Sequence, residues 1–312
     1  MTDVVKIRSI LAPVDGSRGG EEALPYALII AGSEGSVTLL EVVPESEPLR
    51  KPFGAVTMSS EDVLKMLNDL AREDLDKAAA DWSPLAPEVP IERLIGQGDA
   101  TTVILQAAID HQIDMIALAS AARGAVGRLA LGSVSDKVMR ESEIPVLIVR
   151  QDPDKEERVL PKVGRVIVAL DGSDRSMLGL PVAAALGKQL GAAVVLLTAV
   201  DLPQVVSPVM GYAPAFSPDI YSQLEDESTA AAHEHLDEAV AQMATYGVTA
   251  NSQVTVGFAV DSIIDYAKPD DLIVLTTRGQ GGFKRWIMGS VAERLVRESP
   301  APVVVVPSHH HE

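Results

Sequence analysis

The sequence predicts an α/β protein of two doubly wound domains, each built on a five-stranded parallel sheet and related to the other by pseudo-twofold symmetry. The first observation behind this prediction is a repeat: IRSILAPVDGS returns as VGRVIVALDGS, and Asp171 follows Asp15 by 156 positions. The second is that GRLALGSVSDKV returns as KRWIMGSVAERL, with Gly289 following Gly132 by 157 positions. Offsets that agree to within one residue indicate two homologous halves.

The third observation is that short apolar runs alternate with longer amphipathic segments, which is the pattern of parallel strands covered by helices on both faces. We place the strands of the first half at 9–14, 37–43, 89–95, 114–119 and 146–149, and its helices at 19–31, 61–82, 101–111 and 134–141. The second half repeats the order, with strands at 166–170, 194–200, 253–256, 272–276 and 303–306. Right-handed crossovers then wind each half around one sheet.

Domain boundaries follow from the charged, proline-bounded stretch QDPDKEERVLPK, which has no apolar periodicity. We therefore predict a first domain over 1–150, a linker over 151–162, a second domain over 163–308 and a tail over 309–312. The histidines of the tail are either native or left over from expression, and they have no meaning for the fold.

Two segments, 44–60 and 202–218, are rich in Pro, Ser and Met and follow the second strand of each half. They are longer than ordinary connections between strands and helices, so each is either a cover over a site or a plain surface excursion.

The composition excludes several classes of protein. With 26 Lys and Arg against 44 Asp and Glu, the formal charge of −18 opposes binding to nucleic acid or to an anionic membrane surface. The absence of cysteine excludes disulfides, thiolate zinc sites and cysteine nucleophiles. The start MTDVVKIRSI lacks a signal-peptide stretch, and Pro181 and Lys188 interrupt the most apolar region. We therefore expect a cytoplasmic protein with no membrane span.

The final strand of each half, PVLIV or PVVVV, would be an exposed apolar edge, and such edges favour pairing. We therefore expect 146–149 to pair with 303–306 inside one chain, as an intramolecular pseudo-dimer. A further homodimer of whole chains is left open.

In an open parallel sheet, ligands bind outside the carboxyl ends of the strands, where the strand order reverses. Each half brings three segments to that edge: the Asp-Gly-Ser run after the first strand, the end of the second strand, and a Gly-Ser pair after the fourth. Gly-Ser at a helix start suits a phosphate, because backbone N–H groups and the positive end of the helix face it. Basic residues precede both pairs: Arg123 and Arg128, and Arg278, Lys284 and Arg285. The alternative is an ordinary helix cap with solvated basic side chains.

These residues resemble a known family. ILAPVDGS and VIVALDGS at the first strand, LLEVV and LLTAV at the second, and the Gly-Ser segments after the fourth are similar to universal stress protein domains of the UspA type. The resemblance covers nearly the whole chain and implies a flavodoxin-like, Rossmann-like shape for each half. Many members of the family bind ATP through the signature Gly, two residues, Gly, nine residues, Gly-Ser or Gly-Thr, whereas others lack the signature and bind no nucleotide.

The match to that signature is incomplete. Counting back from Gly289, the second glycine position is Gly279 and the first is occupied by Thr276. In the first half, the two glycine positions are occupied by Ala119 and Ala122. A side chain where positive φ is needed costs about 1–2 kcal/mol, and a lost hydrogen bond to a phosphate costs about 1.5–3 kcal/mol. Either loss weakens binding about tenfold or more, so we expect the second domain to be the better nucleotide site.

The resemblance assigns site residues by position. In the second half they are Asp171 and Ala199 at the adenine and ribose end, and Thr276, Gly279, Gly289, Ser290 and Val291 at the phosphate end. Their first-half counterparts are Asp15, Val42, Gly132 and Ser133. Asp15 and Asp171 also suit a simple strand-end turn that caps the next helix. Mg²⁺ would accompany a bound triphosphate, although the sequence designates no protein ligand for it.

The leading hypothesis is a non-enzymatic tandem universal stress protein, a stress-response regulator that binds ATP or a related adenine nucleotide in its second domain. The alternative is a nucleotide-free module that binds unknown protein partners, and a slow ATPase comes third. The sequence shows no Walker A run and no nucleophile elbow, and Ser173 and Ser290 lack a histidine partner in their motifs. His233 and His235 are two residues apart on a predicted helix and face different ways, so we expect no metal site there.

Overall fold

The computed structural model describes residues 5–45, 49–50, 56–120, 131–152, 157–201, 218–277 and 289–308. Its strands are β1 (Ser9–Val14), β2 (Ser36–Val43), β3 (Leu49–Arg50), β4 (Val56–Met58), β5 (Ile91–Gln97), β6 (Met115–Ser120), β7 (Val146–Arg150), β8 (Arg165–Leu170), β9 (Ala193–Val200), β10 (Ala250–Val256), β11 (Asp271–Thr276) and β12 (Val303–Val306). Its helices are α1 (Leu24–Ala31), α2 (Ser60–Trp82), α3 (Ala100–Asp110), α4 (Ser133–Glu141), α5 (Leu180–Leu190), α6 (Pro218–Thr245), α7 (Ala259–Tyr266) and α8 (Ser290–Glu298).

Ten strands form one sheet, in the order β10-β9-β8-β11-β12-β7-β6-β1-β2-β5. Within each half the strands are parallel, with β1 between β2 and β6, and β8 between β9 and β11. The halves meet where β7 and β12 pair antiparallel, with Val303 opposite Ile148 and Val305 opposite Val146. The predicted fold class is confirmed, and so is the pairing of the two final strands.

Helices cover both faces of this sheet, because its strands are apolar on both faces. On one face α1, α2, α5 and α6 pack over a core that includes Leu28 and Leu186. On the other face α3, α4, α7 and α8 pack over a core that includes Val138 and Leu295. Each core runs across the junction of β7 and β12, so the two halves share their buried surface. Within the described ranges, no helix has the length and hydropathy needed to span a membrane.

The first helix of each half begins later than its apolar pattern suggests. The predicted helix at 19–31 is a 3-10 turn over Gly19–Ala23 followed by α1, and Ser176–Gly179 precedes α5 in the same way. Glycines are poor helix formers, and a proline is tolerated only in the first turn. Pro25 and Pro181 accordingly sit in the first turns of α1 and α5. This short turn places Gly20 beside the carboxyl edge of the sheet.

The segment 44–60 is not a structureless loop. It contains the short strands β3 and β4, which pair antiparallel with Leu49 opposite Met58. Strands of two and three residues are hard to recognise from sequence, since neither is long enough to show an alternating pattern. The corresponding stretch of the second half, 202–217, lies outside the described residues.

The long helix α2 starts at a side-chain cap. Ser59 precedes the helix in an extended conformation, and its Oγ accepts a hydrogen bond from Asp62 N at 3.1 Å. Replacing Ser59 with alanine is expected to lower the free energy of unfolding by about 1 kcal/mol, whereas glycine should cost only about a few tenths. Urea unfolding of both variants measures this, and equal losses for alanine and glycine would contradict a capping role.

Candidate functional site

A cavity of about 530 Å³ opens at the carboxyl edge of the first half. Asp15 comes from the end of β1, Val42 from the end of β2, and Gly132 and Ser133 from the start of α4. The structure therefore brings the four first-half residues named from the sequence around one cavity. Ala119, at the first glycine position of the signature, also lines it.

The Asp-Gly-Ser run forms a tight turn at the cavity wall. Asp15 Oδ1 accepts hydrogen bonds from Ser17 N at 3.1 Å and from Ser17 Oγ at 2.5 Å. Ser17 Oγ in turn accepts from Gly20 N at 3.0 Å, and Gly16 has a φ of 71° that favours glycine. A side chain on Gly20 would overlap Asp15 Oδ1. The turn thus holds the carboxylate of Asp15 against the start of the next helical turn, as in the capping interpretation.

The start of α4 offers backbone donors to the cavity. Gly132 precedes the helix in an extended conformation, and among the described residues no side chain caps the first turn. Ser133 is exposed there, whereas the hydroxyl of Ser135 donates to Ala119 O at 3.3 Å. Unpaired N–H groups at a helix start, with the positive end of the helix behind them, suit an anion.

The sequence did not single out Glu41, a carboxylate in the cavity lining. Burial, and then the charges of Asp74 and Asp15, raise the pKa of Glu41 to about 7. Among the described residues, its Oε2 atom has no hydrogen-bond partner. Above about pH 7 the carboxylate of Glu41 therefore adds negative charge at the end of the first cavity nearest to β2, which opposes a polyphosphate. An acidic residue within the apolar run TLLEVV was the signal available in the sequence.

A second unexpected lining residue is Gln151. The sequence analysis assigns it to the linker, because it opens the charged stretch after the final strand of the first half. In the structure its backbone N–H donates to Ser120 O at 3.4 Å, next to the carboxyl end of β6. The linker therefore begins inside the candidate site.

The second half has the same arrangement over the residues that are described. Asp171 Oδ1 accepts from Ser173 N at 3.1 Å and from Ser173 Oγ at 2.6 Å. Ala199 lies on β9, and Gly289 and Ser290 begin α8, again with no side-chain cap. The structure thus brings Asp171 and Ala199 to the same edge of the sheet as the start of α8.

The three remaining predicted site residues of the second half, Val291, Thr276 and Gly279, lie in different surroundings or outside the described residues. Val291, in the first turn of α8, is partly exposed. Thr276, where the signature has glycine, is the last residue of β11 and is buried. Gly279 lies outside the described residues, together with Ala122, Arg123, Arg128, Arg278, Lys284 and Arg285.

The two halves differ at the strand position of Glu41. Glu41 lies opposite Val14 of β1, and Thr198 lies opposite Leu170 of β8 in the same register. A hydroxyl therefore replaces the carboxylate in the second half. Over the described ranges, no group of three or more His, Asp or Glu side chains is arranged to hold a metal ion.

Comparisons with known proteins match both halves of the sequence to one family. The family model described as the universal stress protein family matches residues 6–150 and again 162–307. A universal stress protein of Thermus aquaticus is 34% identical over 145 residues, covering 46% of this chain and 98% of that protein. Other curated universal stress proteins are matched over only 60% of their own length.

A solved structure that covers nearly the whole chain has the same fold. A universal stress protein from Archaeoglobus fulgidus covers 96% of this chain and 98% of that chain, at 21% identity and a TM-score of 0.65. Another solved universal stress protein is in complex with cAMP; it covers 47% of this chain and 99% of that chain, at 21% identity and a TM-score of 0.34. Because the family model matches both halves of the sequence, the chain belongs to the universal stress protein family and carries two of its domains in tandem.

Proposed function

We propose that the protein is a cytoplasmic, non-enzymatic stress-response regulator that responds to an adenine nucleotide bound at the carboxyl edge of the sheet. The observation that carries this proposal is the cavity of about 530 Å³ where Asp15, Val42 and the start of α4 meet. Its volume lies within the range of small-molecule sites, about 300–1,000 Å³. The first-turn N–H groups of α4, which no side chain among the described residues caps, would face the phosphates.

In this proposal the tighter nucleotide site lies at the equivalent edge of the second half, where Asp171, Ala199 and the start of α8 meet. We call this place the second cleft, and the cavity of the first half the first cleft. The second cleft keeps Gly279 at the correct spacing from Gly289 and Ser290. It also has Thr198 where the first cleft has Glu41, so its wall at that strand carries no charge against a polyphosphate. With no cluster of metal ligands among the described residues, Mg²⁺ would be held by the phosphate oxygens.

A second candidate function is a nucleotide-free interaction module, and one observation favours it. Thr276 and Ala119 both put a side chain where the signature has glycine, and Thr276 is buried at the end of β11. A protein that carries no nucleotide after purification and binds none in titration would have this function instead.

A matched pair of variants tests the proposal. Gly289 has a φ of −62°, which any residue adopts, and a Cβ there would be 3.6 Å from Thr277 O, an ordinary contact. Gly289→Phe therefore fills the second cleft without backbone strain, and Gly132→Phe, at a φ of −62°, does the same in the first. In isothermal titration with ATP and Mg²⁺, we expect Gly289→Phe to weaken the tighter binding event more than about tenfold and Gly132→Phe to leave it unchanged.

Two results would contradict this assignment. An absence of heat with wild-type protein at millimolar ATP would remove nucleotide binding altogether. Loss of the tighter event in Gly132→Phe alone would move the main site to the first half. For the non-enzymatic part of the proposal, phosphate release by the wild type should not exceed that of Gly289→Phe.

A further inference from the structure

The 3-10 turn Gly19–Ala23 lies between the first cleft and the interdomain linker. On its inner side, Gly20 lines the cavity beside Asp15. Its Glu21 is buried, with only 7% of its surface exposed. Residues of the linker contact this turn at two places, so the turn connects the cavity wall to the segment that joins the two domains.

The first contact is made by Gln151, which itself lines the cavity. Its side-chain amide lies flat against Gly19: a Cβ on that glycine would come within 2.8 Å of Cδ and 2.9 Å of both amide heteroatoms. A glutamine amide has two donor hydrogens and two acceptor lone pairs, so it can bond to the protein and to a ligand at the same time. A side chain at position 19 would therefore displace this amide from its place.

The second contact is made by Arg158. Its Nη2 lies 3.1 Å from Glu21 Oε2 and 2.8 Å from Asp81 Oδ2, and its guanidinium lies 5.9 Å from the ring centre of Trp82. Trp82 Nε1 donates to the same Glu21 oxygen at 2.9 Å. A charge-assisted cluster around a buried carboxylate is among the stronger polar contacts. A second residue of the linker, Arg158, is therefore held on the same turn as Gln151.

The second half is built differently at these positions. By the repeat offsets of 156 and 157, Gly19 corresponds to Arg175 and Gln151 corresponds to Ser308. Ser308 N donates to Thr277 Oγ1 at 3.1 Å, and the two hydroxyls lie 3.0 Å apart. In the second half, the short hydroxyl side chain of Ser308, which is held by Thr277 after β11, therefore replaces the amide of Gln151 that reaches the first cavity.

We propose that Gln151 binds the ligand of the first cleft, so that the interdomain linker senses whether this cleft is occupied. The proposal rests on nucleotide binding as the proposed function, and it adds the regulation of that site. Ligand contact at Gln151 shifts the turn Gly19–Ala23, and the shift reaches Trp82 through Glu21 and Arg158.

The test isolates the first cleft. The background carries Gly289→Phe, which fills the second cleft, and Trp286→Phe, which leaves Trp82 as the single tryptophan of the chain. In this parent, Gln151→Ala is compared with the matched control Ser308→Ala. We expect Gln151→Ala to raise the Kd for ATP at least about fivefold with an unchanged thermal midpoint, and Ser308→Ala to leave the Kd unchanged.

The fluorescence of Trp82 is the second readout. We expect saturating ATP to change the Trp82 emission of the parent. When Arg158→Gln is added to the parent, saturating ATP should leave the emission unchanged.

The outcomes separate this inference from the nucleotide proposal. If the parent binds ATP and Gln151→Ala binds it equally well, or if Trp82 emission ignores ATP, the inference fails and the nucleotide proposal stands. If the wild type gives heat and the parent gives none, the first cleft takes no ATP and the inference fails alone. If the wild type gives no heat, both proposals fail.

Discussion

Replacing Asp271 with asparagine is expected to lower the free energy of unfolding by about 3 kcal/mol. The carboxylate is only 1% exposed, and it accepts from Arg165 Nε at 2.8 Å, from Arg165 Nη2 at 2.6 Å and from Lys268 N at 2.7 Å. Breaking a buried pair from one side leaves an uncompensated charge, which costs about 3–5 kcal/mol. The lower end applies because the side chain of Arg165 keeps 26% of its surface in solvent.

An exposed ion pair provides the control. Arg8 precedes Ser9, the counterpart of Arg165 in the repeat, and its guanidinium pairs with Glu34; the two side chains are 43% and 72% exposed. Glu34→Gln should therefore cost less than about 1 kcal/mol. Urea unfolding followed by circular dichroism measures both variants. If Asp271→Asn lowers the free energy of unfolding by less than Glu34→Gln does, the buried pair does not have the importance given to it.

Replacing Glu41 with glutamine is expected to stabilise the protein above neutral pH. The pKa of Glu41 is raised from 4.5 to about 7 by burial and by Asp74 and Asp15. Between those values the folded state holds a proton that the unfolded state has released, so stability falls as pH rises from 4.5 to about 7. At about pH 8 the variant should gain about 1–2 kcal/mol, a figure reduced for solvent screening of a partly exposed carboxyl.

The pH dependence of stability distinguishes the removal of the Glu41 charge from a stabilisation that is the same at every pH. At about pH 4 the two proteins should differ little, because Glu41 is then protonated in the folded state. Glu92, exposed on the neighbouring strand β5, is the control: Glu92→Gln should leave the pH profile of the wild type unchanged. Denaturant midpoints measured across this pH range give the comparison. A gain for Glu41→Gln that is equal at low and high pH would contradict the charge argument.

The repeat and the apolar runs were enough to predict the fold. IRSILAPVDGS and VGRVIVALDGS place β1 and β8 at equivalent positions, and the apolar final strands predict that 146–149 pairs with 303–306, as β7 and β12 do. These are regular elements whose burial on both faces produces continuous apolar sequences. The antiparallel pairing of β3 with β4 was not predicted, because strands of two and three residues carry no periodic signal.

The candidate site was predictable only in part. Motif positions led to Asp15, which directly follows β1, and to the Gly-Ser start of α4. Glu41 and Gln151 were missed for a physical reason. Their roles depend on long-range neighbours, Asp74 on α2 and Gly19 before α1, which no local pattern reveals.

The antiparallel contact between β7 and β12 has a consequence for how this molecule can evolve. In a homodimer that joins two identical chains, every substitution appears on both sides of the symmetry axis. Here one polypeptide supplies both sides, and a covalent tether keeps them associated at any dilution. Each copy is therefore free to change alone, as Glu41 and Thr198 already show. A substitution at the carboxyl edge of one half therefore leaves the equivalent edge of the other half unchanged.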